Sequence, residues 1–466
     1  MDGSKKARLA EQVRRFRARF AQSAEAALGD VLPRQWLIER IMEEVGHWRE
    51  RLYGPLTTLA LFIEQVLGAD HSCQDAVARG VSARVALGQR PCSLNTGPYC
   101  KARARLSLTL IARLGREVGE RLCAGQPAAW LWRGRPVKLV DGTTVSMPDT
   151  APNQARFPQN HEQKPGLGFP LARLVAVVSL SCGAVLEWAC GACEGKETGE
   201  TALMWALAEK LRPGDVVIAD RCYAGYFMIA RLVQLDIDVV IRQHQRRHTD
   251  FRRGRRLGVR DHVVSWTRPK RPAWMSEADY ALTPDVLFMR EVRAGGWTLV
   301  SSLLDARAVA KQELVELYRA RWQVELDLRS IKAVMQMDVL RCKSPPMVVK
   351  EIAVHLLAYN LVRTVIAQAA QLGHVLPREL SFKAALQLLR AFEENLRHCP
   401  RGRLAVCRAY LLAGIAHMRL PRRPGRVEPR AVKRRPKPHR LLTRPRQELR
   451  RRLLRKQQRH ETALLR

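Results

Sequence analysis

Apolar residues return at Leu37, Ile41, Val45, Trp48 and Leu52, in steps of four, four, three and four that place them on one face of a helix. The chain to about residue 130 reads as helical in this way, enough for a small bundle. Within it residues 93–98, Ser-Leu-Asn-Thr-Gly-Pro, form a turn and cap signal that opens a helix over 99–114. That helix carries Lys101, Arg103 and Arg105, which are either DNA contacts of a helix-turn-helix-like reader or a solvated basic face.

From Pro136 the period changes to two and the content becomes β-branched. Residues 137–145, 171–180 and 185–192, with a Cys182-Gly183 turn between the last two, predict a three-stranded antiparallel meander. A helix over 198–211, stopped by Pro213-Gly214, leads to the short apolar run 215–220 of the buried parallel type. Another helix (226–235) and strand (237–241) complete the order β-β-β-α-β-α-β. That order, with aspartates in the first strand and ending the fourth, predicts an α/β protein with a ribonuclease H-like core. Residues 245–297 interrupt it with Arg246, Arg247, Arg252, Arg253, Arg255, Arg256 and several prolines, and read as a basic, strand-rich insertion. A strand near 298–304, one long helix from Ala308 to about Met337, and further amphipathic helices to about Arg419 follow.

Charge changes the picture. The 466 residues hold 80 Lys and Arg against 44 Asp and Glu, a net charge of +36, which makes a polyanion the expected partner, nucleic acid before an anionic membrane. Hydrophobic content of 47% is enough for real cores, so the chain is not a simple packaging tail. Residues 421–466 concentrate the charge, eighteen Lys and Arg against three Glu, and are expected to be disordered until they meet nucleic acid. No uninterrupted apolar run reaches the roughly 18 residues of a membrane span, and no apolar stretch follows the first charges, so the expectation is an intracellular protein. Eleven scattered cysteines read as reduced thiols, and Cys190-Gly-Ala-Cys193 as core residues of a strand.

Candidate chemistry comes from the acids. Asp141 lies inside an apolar strand, where a carboxylate calls for a partner or a metal. Asp220 ends the strand before it, at the C-terminal strand end where α/β sheets bind ligands. In the run from Tyr318 to Lys332, an unbroken helix puts Tyr318, Arg321, Glu325 and Lys332 within an arc of roughly 60°. Leu317, Val324, Leu328, Ile331 and Met335 form the adjoining apolar stripe. A carboxylate, two cations and a phenol in one row suit metal and phosphate binding; an ion-pair ladder from Arg321 to Glu325 on a solvated face is the other reading.

The run Tyr-x2-Arg-x3-Glu-x6-Lys resembles the Y-R-E-K signature of the DDE transposases of bacterial insertion sequences, in the fourth insertion-sequence family. Val140-Asp141-Gly142-Thr143-Thr144 and Ala219-Asp220-Arg221-Cys222-Tyr223 resemble that family's two aspartate motifs, in the right order. The likeness covers about residues 90–370. It implies a ribonuclease H-like fold with a β-insertion before the glutamate, and Asp141, Asp220 and Glu325 as ligands of two magnesium ions, which manganese can replace. It further implies phosphate contacts from Tyr318, Arg321 and Lys332, and a base flipped onto Trp297 during a hairpin step, core packing being the alternative for that tryptophan. The expected partners are double-stranded DNA, as element ends and target, and a second copy in a synaptic dimer; the expected place is bacterial cytoplasm at the nucleoid, with no membrane. Arg252 and Arg253 are further candidate DNA contacts.

The resulting division is a helical DNA-binding region (1–130), a core in two parts (131–244 and 300–370) around the insertion (245–299), a helical region (371–420) and the tail (421–466). Two other functions share these features: a nuclease on the same core that cuts without joining, and a non-catalytic DNA-binding regulator descended from a transposase.

Overall fold

The computed structural model describes residues 33–46, 52–195, 198–421 and 440–464. Among the described residues five helices come first: α1 (Arg34–Val45), α2 (Pro55–Leu67), α3 (Cys73–Ala86), α4 (Gly97–Arg105) and α5 (Leu108–Ala124). Two sequence expectations change here. The helical period from Leu37 stops at Gly46, whose φ of 68° ends α1, so Leu52 lies outside it and Trp48 falls outside the described residues. The helix expected over 99–114 is two helices, because Ser107 leaves the helical conformation and its hydroxyl caps α5 by accepting from the Leu110 N–H.

One nine-stranded sheet follows, in the order β3-β2-β1-β4-β5-β9-β8-β7-β6. Along the chain these are β1 (Val137–Ser146), a short helix α6 (Ala151–Arg156), β2 (Leu171–Ser179), β3 (Val185–Ala192), α7 (Glu200–Leu207), β4 (Val216–Ala219), α8 (Tyr226–Gln234) and β5 (Asp238–Arg242). Then come β6 (Arg255–Gly258), β7 (Asp261–Thr267), α9 (Glu277–Leu282), β8 (Val286–Ala294) and β9 (Trp297–Ser301). The meander β1–β2–β3 is antiparallel, β1–β4–β5 is parallel, and the rest is antiparallel. The strands of residues 245–299 therefore extend the central sheet, since β9 bonds to β5 on one side and β8 on the other. Arg290, fully buried on β8, ties that strand to β7 by a paired contact to Asp261 (2.9 and 2.6 Å) and to the segment beyond β9 by donating to the Val309 carbonyl (2.7 Å).

The long helix expected from Ala308 is broken into α10 (Lys311–Arg319), α11 (Trp322–Arg329) and a π-helical turn, Ser330–Val334. At the break the hydrogen bonds tighten to three-residue spacing: Arg321 N–H donates to Tyr318, Gln323 to Ala320 and Val324 to Arg321. Then come α12 (Pro345–Leu372), α13 (Phe382–His398), α14 (Arg401–His417) and α15 (Arg446–Leu464). By length and composition α12 is apolar enough to cross a membrane, yet 89% of that window is buried inside the protein, where it packs on α5, α2 and α14. Its hydropathy reflects a core helix. The last helix corrects the expectation of a tail without structure: residues 446–464 are rich in helix formers, and Glu448 pairs with Arg444 and Arg452 at four-residue spacing.

Apolar packing lies on both faces of the sheet. On one face Leu139, Ile218, Val324 and Leu328 join the large core built around α12; on the other Val140, Val217 and Ala219 meet α7 and α8.

Candidate active site

The parallel pairing of β1 with β4 ends at Val140 and Ala219. Asp141 and Asp220 are the next residues on each chain. Since Leu139 and Ile218 face the α12 side, alternation turns both aspartates to that same side. Asp220 also closes the turn Arg221–Tyr223, its Oδ1 accepting from Arg221 N–H at 2.7 Å. Asp141 Oδ1 accepts from Gly142 N–H at 2.8 Å.

Helix α11 packs its apolar stripe on this face and brings Glu325 to the same place. Arg321 joins the acids: Nη2 lies 2.7 Å from Glu325 Oε1 and Nη1 3.7 Å from Asp141 Oδ2. Among the described residues no three acidic, histidine or cysteine side chains stand close enough to hold one ion together; a guanidinium bridges two of the acids. Burial pushes the Asp141 carboxyl up to about 6, the Gly142 N–H and Arg321 act against this, and the charges of Glu200 and Glu325 add to it. The site is one of crowded negative charge. Oxygen donors on three separate elements, with mutual repulsion that a dication would relieve, fit magnesium or manganese better than a softer ion.

The Y-R-E-K residues divide between two helices. Tyr318, at the end of α10, is buried, and its hydroxyl is pushed up to about 12 by burial, with Asp220 adding to the rise and Arg321 and Arg242 opposing it. Its ring lies 5.2 Å from that of Trp297, which begins β9 and is half-buried. Lys332 sits in the π-turn beyond Glu325, half-buried. Lys101 and Arg105 are exposed on α4. Arg103 corrects an expectation: it is 8% exposed, donates to Gln65 Oε1 and Cys73 Sγ, and lies over the rings of Phe62 and Tyr99, so it belongs to the bundle core. Arg252 and Arg253 are exposed, and both pair with Asp250.

Two residues escaped the sequence reading. Arg242 ends β5 beside Tyr318. Glu200, the first residue of α7, approaches β1 from the opposite face: a Cβ on Gly142 would stand 2.4 Å from its carboxyl carbon, and its Oε2 lies 3.9 Å from Cys222 Sγ. The glycine after Asp141 was the available signal, because it marks a place where another group meets the strand closely.

A family model described as a transposase DDE domain matches residues 132–361, which span all of these acids. That stretch is a DDE transposase domain. It is also 29% identical to the transposase InsG for insertion sequence element IS4 of Escherichia coli (strain K12), over 343 residues, 70% of this chain and 75% of that one, so this DDE transposase is of the IS4 type. Its enzyme class is DNA cleavage and strand transfer. Among solved structures, the cryo-EM structure of a piggyBac transposase synaptic complex with hairpin DNA covers 89% of this chain and 86% of its own, at a TM-score of 0.39 and 11% identity, too distant to bear on the site.

Proposed function

We propose that this transposase cleaves phosphodiester bonds at the ends of an insertion sequence and joins them to target DNA, with Asp141, Asp220 and Glu325 as ligands of two divalent ions, magnesium in the cell. The observation that carries this is the placement of three acids, from β1, the end of β4 and α11, on one side of the sheet, two of them bridged by Arg321. The strand order 3-2-1-4-5 with the first three antiparallel and the last two parallel supports a ribonuclease H-like core. When bound, two such ions neutralise the attacking and leaving oxygens of an in-line displacement.

The protein's own groups prepare that chemistry. Arg321 offers a planar fork that passes from the carboxylates to a DNA phosphate, while Lys332 supplies a mobile point charge nearby. Tyr318 keeps its proton at neutral pH and donates a hydrogen bond. Trp297, packed on Tyr318, offers a ring on which a base displaced in a hairpin step stacks. Exposed Lys101 and Arg105, with Arg252 and Arg253, contact the backbone of element ends, and a second copy completes the synapse. The protein works in bacterial cytoplasm on nucleoid DNA.

The test is a labelled element end in magnesium, with Asp141→Asn, Asp220→Asn and Glu325→Gln. Each should abolish nicking and joining and leave end binding within a few-fold of wild type, since binding rests on phosphate contacts. Near wild-type cleavage by any one of them removes that residue from the site. Cutting without joining by the unaltered protein would favour the nuclease reading.

A further inference from the structure

Asp327 lies two residues beyond Glu325, about 200° further round the same helix. It is 2% exposed. Its Oδ1 accepts from the Tyr359 hydroxyl at 2.9 Å, from Arg363 Nη2 at 2.7 Å and from Arg378 Nη1 at 2.6 Å, and Oδ2 meets the same Arg378 nitrogen at 2.6 Å. Arg378 also donates to the carbonyls of Ser179 and Leu180 at 2.7 Å each. Ser179 ends β2, the strand that holds Asp141 opposite Ala176, and Leu180 follows it. Arg363 donates to the Tyr359 hydroxyl at 3.0 Å and fills the space beside Gly183, where a Cβ would come 2.2 Å from its Nη2.

One carboxylate thus ties the back of α11 to α12, to the segment after it and to the β2–β3 turn. A buried ion cluster of this kind gives no stability that well-packed apolar groups would not give. What it adds is direction, because a guanidinium fork bound to a carboxylate and two carbonyls permits one rotation of the helix about its axis. Glu325 rides on the opposite flank, where a turn of about 20° would carry a carboxylate some 6 Å from the axis by roughly 2 Å, enough to lose a ligand position.

We propose that Asp327 is the positioning residue for Glu325: clamped by Arg363 and Arg378, it sets the rotation of α11 that turns Glu325 toward Asp141 and Asp220. It touches neither DNA nor metal. This rests on the reading of Glu325 as a metal ligand.

The experiment compares full-length wild type with Asp327→Asn, Arg378→Lys and, as a control for simple destabilisation, Leu59→Ala in the core of α2. Manganese binding without DNA is followed by electron paramagnetic resonance of the free ion, beside thermal melting and the manganese concentration that half-saturates end cleavage. Asp327→Asn should weaken manganese binding tenfold or more, and high manganese should restore part of its cleavage. Arg378→Lys, which keeps the charge and gives up the fork, should fall between, and it carries the comparison alone if Asp327→Asn does not fold. Leu59→Ala should melt earlier and bind manganese as wild type does. Wild-type manganese affinity in both clamp variants, or an equal loss in Leu59→Ala, overturns the positioning role. If Glu325→Gln binds manganese as tightly as wild type, the fault lies in the assignment of Glu325 itself.

Discussion

Replacing Arg321 by glutamine should move metal affinity and catalysis in opposite directions. In the absence of DNA the guanidinium is the cation between Asp141 and Glu325, at 3.7 and 2.7 Å, so an incoming ion has to displace it. The closer contact is a charge-assisted hydrogen bond, worth about 1.5–3 kcal/mol when desolvated. With the Glu325 side chain 35% exposed, solvent screening brings this down to about 1 kcal/mol, and the longer contact to Asp141 adds a few tenths. Removing a competitor of about 1–1.5 kcal/mol tightens ion binding by about tenfold. The same substitution removes the fork meant for a phosphate, so end cleavage should fall by about a hundredfold, the effect of losing roughly 2.7 kcal/mol of transition-state stabilisation. Manganese binding to the free protein and single-turnover cleavage at saturating manganese read the two quantities separately. Unchanged or weaker manganese binding in the variant would refute the view of Arg321 as the cation that holds the acids together before DNA arrives.

Trp297→Ala should spare first-strand nicking and slow hairpin formation by about tenfold, from the loss of about 1–3 kcal/mol of base stacking. Rates measured for the two steps on one labelled substrate check this, and equal slowing would make the residue a packing partner of Tyr318 alone. Truncation before residue 421 removes eighteen Lys and Arg, so the slope of log affinity against log salt should flatten while preference for element ends stays; an unaltered slope would count against a DNA role for α15. His355, buried on α12, is held down to about 4 by burial, with His71 adding to the fall and the Glu351 carbonyl opposing it. Because the folded value lies below the unfolded one near 6.5, its contribution is complete above that pH and is lost as pH falls toward 4, by up to about 3 kcal/mol. Melting curves of wild type and His355→Asn from pH 7 to 4.5 should converge as pH falls, and parallel curves would remove His355 from the acid limb.

Strand period and β-branched content made β1–β5 legible, and the acids inside β1 and just past the end of β4 stood out because a charge in such a run lacks a solvated face. Helical spacing did less well where hydrogen bonding departed from the regular pattern. Tyr318 and Glu325 were expected on one straight helix, yet the three-residue bonds at 320–324 part them. Arg103 shows the opposite error: a basic run looks solvated unless cysteine, glutamine and aromatic partners distant in sequence are known to surround one member. Asp327 did leave a trace, since it flanks the apolar stripe of Val324, Leu328 and Ile331, but its partners come from α12 and residue 378. The joining of β7–β9 to the central sheet had no local signature at all, because cross-strand pairing is a long-range choice.

The clamp on Asp327 also bears on how the enzyme is made. Asp141 leaves the ribosome early, and Arg378 comes more than two hundred residues later, roughly ten to fifty seconds afterward at about 5–20 residues per second. Until then the carboxylate of Asp327 lacks one of its two cations, and the clamp proposed to set the rotation of α11 is incomplete. An unfinished chain, or one cut short by a premature stop before residue 378, carries all three acids without the complete clamp. On the positioning role proposed for Asp327, such fragments would be able to bind DNA without completing the reaction.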